Sequence, residues 1–254
     1  MSPTVAACQT AVDDLDVESN LETVVARVEA LPDRVDVACF PEQALTGFVP
    51  DDRIAETALE RDGPELDRLR EVAGEAGIDL LVGYVERDDA LYNAAAYLRA
   101  DGPTTVYRKR HLWAGERELL EPGESLVTLE TPLGRTGLLT CYDLNFVAES
   151  ATLADKRVDA LLVVGAWPAT HSDNWRLLLR ARALDGVRWT VGTGRTGRRD
   201  VEGARVTDYA GRSLVARPDG GIRAELDTDE RDLVVDLEDG VLERQRDLVG
   251  VFAE

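Results

Sequence analysis

The sequence predicts an α/β layered domain, a mixed sheet covered by helices. Short apolar strands alternate with amphipathic helices through the first half, and hairpin turns are interleaved with them. An apolar content of 44% over 254 residues supplies a core large enough for one domain spanning 1–254 rather than two small ones. No internal repeat, low-complexity tract or linker marks a boundary.

Residues 5–8 read as a short buried strand. Leu21, Val24, Val25, Val28 and Leu31 then recur at helical spacing, giving an amphipathic helix closed by Pro32. Residues 35–40 form a second apolar strand, stopped by Pro41-Glu42. Leu66, Leu69, Val72, Ala73 and Ala76 share one face of a helix that ends at Gly77, and 78–85 is the next strand. Segments 92–98 and 104–107 flank Ala100-Asp-Gly-Pro103, a hairpin signal. Strands at 126–129 and 137–140 straddle a Pro132-Leu-Gly134 turn. A helix through about Thr152 leads to a strand at 159–164. The following helix takes Ser172 or Asp173 as its N-cap and turns Trp175, Leu178, Leu179 and Ala183 inward. A strand at 187–191 comes next, and 203–237 reads as short strands broken at Ala210-Gly211 and Pro218-Asp-Gly-Gly221.

Charge excludes two classes of partner. With 49 acidic against 29 basic residues the chain carries −20, a field that repels nucleic acid and anionic membrane. Lys109 and Lys156 are the only lysines, and the other 27 basic residues are arginines. An acidic, lysine-poor surface resembles that of proteins from salt-loaded cytoplasm, where screening relieves self-repulsion, so a halophilic origin is expected. Cys8, Cys39 and Cys141 lie far apart with no CxxC pair, which argues for a reducing compartment. The N-terminus lacks a basic stretch followed by a long apolar one, and no segment has the length of a membrane span. The protein is therefore expected in the cytoplasm. There is no metal-ligand cluster in the sequence, so no metal is expected.

The chemistry is sought around Arg135-Thr-Gly-Leu-Leu-Thr-Cys141-Tyr-Asp-Leu-Asn-Phe146. A strand that stops at a cysteine puts its thiol at a sheet edge, where turn amides can stabilise a thiolate and an oxyanion. A buried cysteine filling a core gap has the same local pattern, and Cys8 and Cys39, inside apolar runs, are read that way. Cys141 therefore needs partners. His111 and His171 are the two histidines available for a Cys-His hydrolase or transferase. Lys109 stands out because a chain that uses arginine elsewhere places a compact ammonium here. Glu42 follows a buried strand beside Phe40 and Phe48, where partial desolvation would raise its pKa and suit it to act as a base. All three come at or just after apolar strands, whose ends can converge on one edge of a sheet.

Phe-Pro-Glu at 40–42, Tyr-Arg-Lys-Arg-His-Leu at 107–112 and Cys-Tyr-Asp at 141–143 together resemble the three catalytic segments of the nitrilase superfamily of carbon-nitrogen hydrolases. Trp175 with Arg180-Ala-Arg-Ala-Leu184, and Tyr209-Ala-Gly-Arg-Ser213 with Pro218-Asp-Gly220, extend the likeness over nearly the whole chain. The resemblance implies a four-layer αββα sandwich and a Glu-Lys-Cys mechanism on a small-molecule amide. Glu42 would take the thiol proton of Cys141, and Lys109 with the backbone N–H of Tyr142 would hold the oxyanion, with no cofactor. It further implies a second glutamate after the lysine; counting back from Pro122-Gly123 selects Glu116, with Glu118 as the alternative. Cys-Tyr-Asp is similar to the amide-cleaving branch rather than to the nitrile-cleaving one, and a homodimer or larger homo-oligomer is implied. Two departures concern the pocket. Phe146-Val-Ala-Glu149 carries its glutamate one position late, and Gly165-Ala-Trp167 stands where Ala-Asn-Trp is usual, with Trp167 the expected substrate contact. A catalytically silent binding protein on the same fold is the reading those departures would favour.

Overall fold

The computed structural model describes residues 2–250. In chain order the elements are β1 (Thr4–Gln9), α1 (Val17–Ala30), β2 (Val37–Cys39), α2 (Arg53–Thr57), α3 (Pro64–Ala76), β3 (Asp79–Arg87), β4 (Leu91–Leu98), β5 (Thr105–Arg108) and α4 (Glu116–Leu119). There follow β6 (Thr128–Thr131), β7 (Gly134–Thr140), a 3-10 turn (Cys141–Asn145), α5 (Val147–Asp155), β8 (Ala160–Gly165), a second 3-10 turn (Ala169–His171) and α6 (Ser172–Gly186). The chain continues through β9 (Trp189–Gly194), β10 (Arg198–Arg199), β11 (Thr207–Asp208), β12 (Leu214–Ala216), β13 (Ile222–Glu225), β14 (Arg231–Asp236) and α7 (Val241–Val249).

Two six-stranded mixed sheets form the centre, ordered β14-β1-β2-β3-β4-β5 and β13-β12-β9-β8-β7-β6. One face of the first sheet, with Ala6, Cys8, Ala38, Phe40, Leu80 and Val82, packs on Val24 and Val28 of α1 and Leu66 and Leu69 of α3. Its other face, with Val5, Val37, Cys39 and Leu81, belongs to the core that holds the second sheet and the α6 residues Trp175 and Leu179. Strand alternation separates the two sides of the second sheet. A Cβ on Gly137 would strike Leu153 of α5, and one on Gly192 would strike Leu179 of α6, so these positions face helices. Four layers result, αββα, as the resemblance implies. The residue pattern alone predicts a single sheet. It errs because a strand buried on both faces reads the same whether its second neighbour is a helix or another sheet.

Most boundaries fall within a few residues of expectation. The helix after β8 differs at its start: Ser172 is its first residue, its N-cap is His171, and no side chain caps it. A 3-10 turn occupies the residues just before. Within α6 the buried side chains are Trp175, Leu179, Arg182 and Ala183, while Leu178 is only partly covered. The helices α2, α4 and α7 lack a long apolar stripe; α7 buries only Val241 and Leu242. No helix among the described residues is long and apolar enough to cross a membrane.

The turn that leaves β2 is pressed directly onto β3. A Cβ on Gly83 would lie 2.4 Å from the Pro41 carbonyl oxygen, 2.5 Å from the Gln43 nitrogen and 2.7 Å from the Glu42 Cα. Gly74 in α3 has room, its nearest neighbour being the Ala100 carbonyl at 3.4 Å. Gly83→Ala is expected to destabilise by roughly 1–3 kcal/mol through overpacking. Gly74→Ala is expected to stabilise by about 0.5–1 kcal/mol by removing backbone freedom from the unfolded chain. Paired thermal melts check both signs.

Candidate active site

Three strand ends bring the chemistry together, and they come from both sheets rather than from one edge. Glu42 lies in the turn after β2 and Lys109 directly follows β5, both in the first sheet. Cys141 follows β7 in the second. The chain turns sharply at Cys141, whose φ of 48° is a left-handed conformation disfavoured for a side-chain-bearing residue. What holds it there is Asp143. Its carboxylate accepts from Thr140 N at 3.0 Å, closing a capping box, from Tyr107 Oη at 2.7 Å and from His111 N at 2.9 Å. Burial pushes the Asp143 carboxyl up to about 6, against the Tyr107 hydrogen bond and the charge of Lys109, which pull it down. One side chain thus joins the cysteine turn of the second sheet to the lysine segment of the first.

Lys109 is 2% exposed and sits between two carboxylates. Its Nζ is 2.8 Å from Glu42 Oε1, 3.0 Å from Glu116 Oε1 and 2.7 Å from Glu116 Oε2. Glu42 Oε2 accepts the Ala166 N–H at 2.7 Å, and Glu116 Oε2 accepts the Trp113 N–H at 2.8 Å. Asn93 Nδ2 bridges the pair, 2.8 Å from Glu42 Oε1 and 2.5 Å from Glu116 Oε1. The Cys141 thiol lies close enough to Glu42 for the two groups to shift each other's acidity.

The electrostatics define a resting state. Burial raises the Glu42 carboxyl, but the charge and hydrogen bond of Lys109, with hydrogen bonding from Cys141 and Asn93, outweigh it and leave Glu42 below the ordinary glutamate range. That net direction is opposite to the one expected from desolvation alone. Burial opposes the Lys109 charge, yet Glu116 and Glu42 hold the ammonium well above the ordinary lysine value. Burial, then the charge of Glu42, push the Cys141 thiol well up. At neutral pH the group is carboxylate, ammonium and neutral thiol, not the preformed thiolate that the strand end suggests.

A cavity of about 420 Å³ opens on Glu42, Lys109, Glu116 and Cys141. Ala166, Pro168, Trp113 and Tyr209 form part of its wall, and Arg199, Arg205 and Asp208 also line it. Glu116 is 5% exposed and touches Lys109, while Glu118 is exposed. Tyr142 and Trp167 do not line the cavity. The Tyr142 ring stands edge-on to Phe146 at 5.4 Å, and the buried Trp167 ring packs on Trp175 at 5.6 Å, behind the wall formed by its neighbours Ala166 and Pro168. The Trp167 ring, expected to contact substrate, thus lies behind that wall rather than on it.

The histidines divide. His111 stacks on Phe146 with centroids 3.5 Å apart, and its Nε2 is 2.6 Å from Glu149 Oε1; it is not on the cavity wall. His171 does line the cavity. Glu149, the late glutamate, is buried and also binds Arg110 at 2.5 Å, so it ties α5 to the lysine segment. Asn93, Arg199 and Arg205 escaped the sequence reading, and Tyr209 enters it only as part of the late hairpin. Asn93 had a signal, an amide inside the otherwise buried strand β4. Arg199 and Arg205 fall outside the three catalytic segments and gave none. Among the described residues no cluster of three or more His, Cys, Asp or Glu is arranged to hold a metal ion.

Comparison with known proteins matches residues 4–245 to the carbon-nitrogen hydrolase family. The omega-amidase of Xenopus tropicalis is 34% identical over 227 residues, covering 84% of this chain and 77% of that one. An (R)-stereoselective amidase of a Pseudomonas species is 28% identical over 226 residues, covering 89% and 81%. The crystal structure of a CN-hydrolase superfamily protein from Xanthomonas campestris superposes with a TM-score of 0.89 at 24% identity, covering 98% and 96%. Sequence match and shared architecture agree, and the chain belongs to the carbon-nitrogen hydrolases of the nitrilase superfamily.

Proposed function

We propose that the protein hydrolyses the C–N bond of a small carboxamide through a thioester on Cys141. The observation that carries this reading is the contact of one thiol with a carboxylate that is itself held by a buried ammonium, at the floor of a cavity. Glu42 takes the Cys141 proton as the sulfur attacks the amide carbon. The negative charge that develops on the carbonyl oxygen is held by Lys109 and by the backbone N–H of Tyr142. Collapse of the tetrahedral intermediate breaks the C–N bond, and Glu42 returns its proton to the departing ammonia or amine. Water, deprotonated by Glu42, then cleaves the thioester to a carboxylate and restores the thiol. Glu116, bound to Lys109 through both oxygens, orients the ammonium.

The cavity mouth favours an amide with a carboxylate at its far end. Among the described residues Arg199 bonds only neutral acceptors, the carbonyls of Phe48 and Arg205 and the Thr207 hydroxyl. The exposed Arg205 meets no carboxylate among the described residues, and Asp208 beside it lies 3.6 Å from Arg198. In a chain of charge −20, two guanidiniums without acidic partners at the entrance suit an anionic ω-amide over a neutral aliphatic amide or a carbamoyl compound. The acidic, lysine-poor surface is read from composition as an adaptation to a salt-rich cytoplasm, and the assembly is taken as a homodimer on the family resemblance alone.

The following outcomes are expected. Cys141→Ala abolishes ammonia release, while Glu42→Gln and Lys109→Ala each lower kcat/KM by ~10²–10⁴-fold in an amide hydrolysis assay. Because protonated Glu42 cannot accept the thiol proton and its carboxyl lies low, wild-type activity persists on the acid side and fails only as pH falls through that lowered value. Arg205→Gln lowers kcat/KM for glutaramate by ~10-fold, the worth of one charge-assisted hydrogen bond, and leaves pentanamide unchanged. The melting midpoint rises from 0.1 to 2 M KCl, and light scattering in the same buffers gives twice the monomer mass.

A further inference from the structure

Among the buried polar side chains beside the reacting groups, the proposed reaction leaves Asn93 without a role. Asn93 is 1% exposed in β4, and its two amide hydrogens serve two different carboxylates, those of Glu42 and Glu116. Its own carbonyl accepts the Lys109 N–H at 2.8 Å. The remaining atom, Oδ1, is buried with no hydrogen-bond partner. Reversing the amide would turn an acceptor toward both carboxylates, so they dictate its orientation. An orphaned buried acceptor carries a cost, which the two bonds from Nδ2 must outweigh.

Glu42 and Glu116 are two like charges sharing one ammonium. Such a pair tends to bind a proton between its members, which would disable either as a base. A neutral group that donates to both relieves the repulsion without adding charge. It also fixes Glu42 at a third point, since Oε1 is already held by Lys109 and Oε2 by Ala166 N. Around Glu42 the other ionisable groups are Lys109 after β5, Glu116 on α4 and Cys141 after β7. Arg195 after β9 and Tyr209 after β11 are close enough to feel its charge. None of these is a neutral donor that reaches both carboxylates.

We propose that Asn93 is a positioning residue for the reaction: its amide holds Glu42 and Glu116 apart and in register around Lys109, so that Glu42 keeps one fixed approach to the Cys141 thiol. This rests on the amide-hydrolase reading. The test compares wild type, Asn93→Ala and the isosteric Asn93→Asp, each confirmed folded by thermal melting. Two pH profiles are recorded: turnover of a neutral amide, and the rate of Cys141 alkylation by iodoacetamide followed by intact mass. In Asn93→Ala, kcat falls ~10–100-fold with KM within ~3-fold, and the acid limb of both profiles moves up by about one pH unit as the ionised Glu42 loses a donor. Asn93→Asp, which adds a third negative charge, moves the limb further in the same direction. Folded variants whose acid limbs coincide with wild type overturn the proposal, however far kcat falls. If the wild type turns over no amide, the amide-hydrolase reading fails while the alkylation profiles still decide the role of Asn93. If Asn93→Ala does not fold, Asn93→Asp decides it alone.

Discussion

The whole site depends on one buried ammonium. Lys109 is enclosed with two carboxylates, a formal excess of one negative charge in a place nearly closed to water. Taking such ions out of water costs several kcal/mol each before their attraction is counted. That cost is tolerable only because every oxygen of both carboxylates has a donor: Lys109, Asn93, Ala166 N and Trp113 N. The arrangement also explains why the thiol rests protonated. The lysine charge is spent on carboxylates, and little remains to stabilise a thiolate until a substrate accepts electrons from it.

The two sheets have to hold their relative position for this to work, because the carboxylate and ammonium belong to one and the sulfur to the other. Asp143 is the fastening. It receives the Tyr107 hydroxyl and the His111 amide from the first sheet's side and the Thr140 amide from the second. Glu149 repeats the tie through Arg110 and His111 one helix later. From the second sheet's far side, Arg182 of α6 donates twice to the Leu144 carbonyl, steadying the end of the cysteine turn. The left-handed backbone of Cys141 is held by the hydrogen bonds on both sides of it.

Much of this was legible in the residues, for identifiable reasons. Cys141, Glu42 and Lys109 each end or follow an apolar run, and the scarcity of lysine marked one of the two in the chain. Glu116 was separable from Glu118 only through likeness to a family, since both lie in the same short acidic helix. The number of sheets was not legible, because β3 and β8 are buried throughout most of their length and such strands show no polar face to indicate what covers them. The acidity of Glu42 was misjudged in direction. Burial is visible in a sequence as apolar neighbours, whereas the ammonium that reverses its effect arrives from 67 positions away. The entrance arginines belong to a part of the chain with no strong periodicity, where side-chain placement follows from the fold alone.

The first sheet has a property that concerns its birth rather than its chemistry. β1, near the start of the described chain, is flanked on one side by β14, with Thr4 opposite Asp236 and Gln9 opposite Arg231. A ribosome therefore exposes this strand long before its β14 partner has been made. Until then Val5 and Ala7, both wholly enclosed in the finished protein, border an open hydrogen-bonding edge. Nascent chains caught at this stage are the ones a chaperone has reason to hold, and the closing of that edge marks the moment when vectorial synthesis gives way to a finished domain.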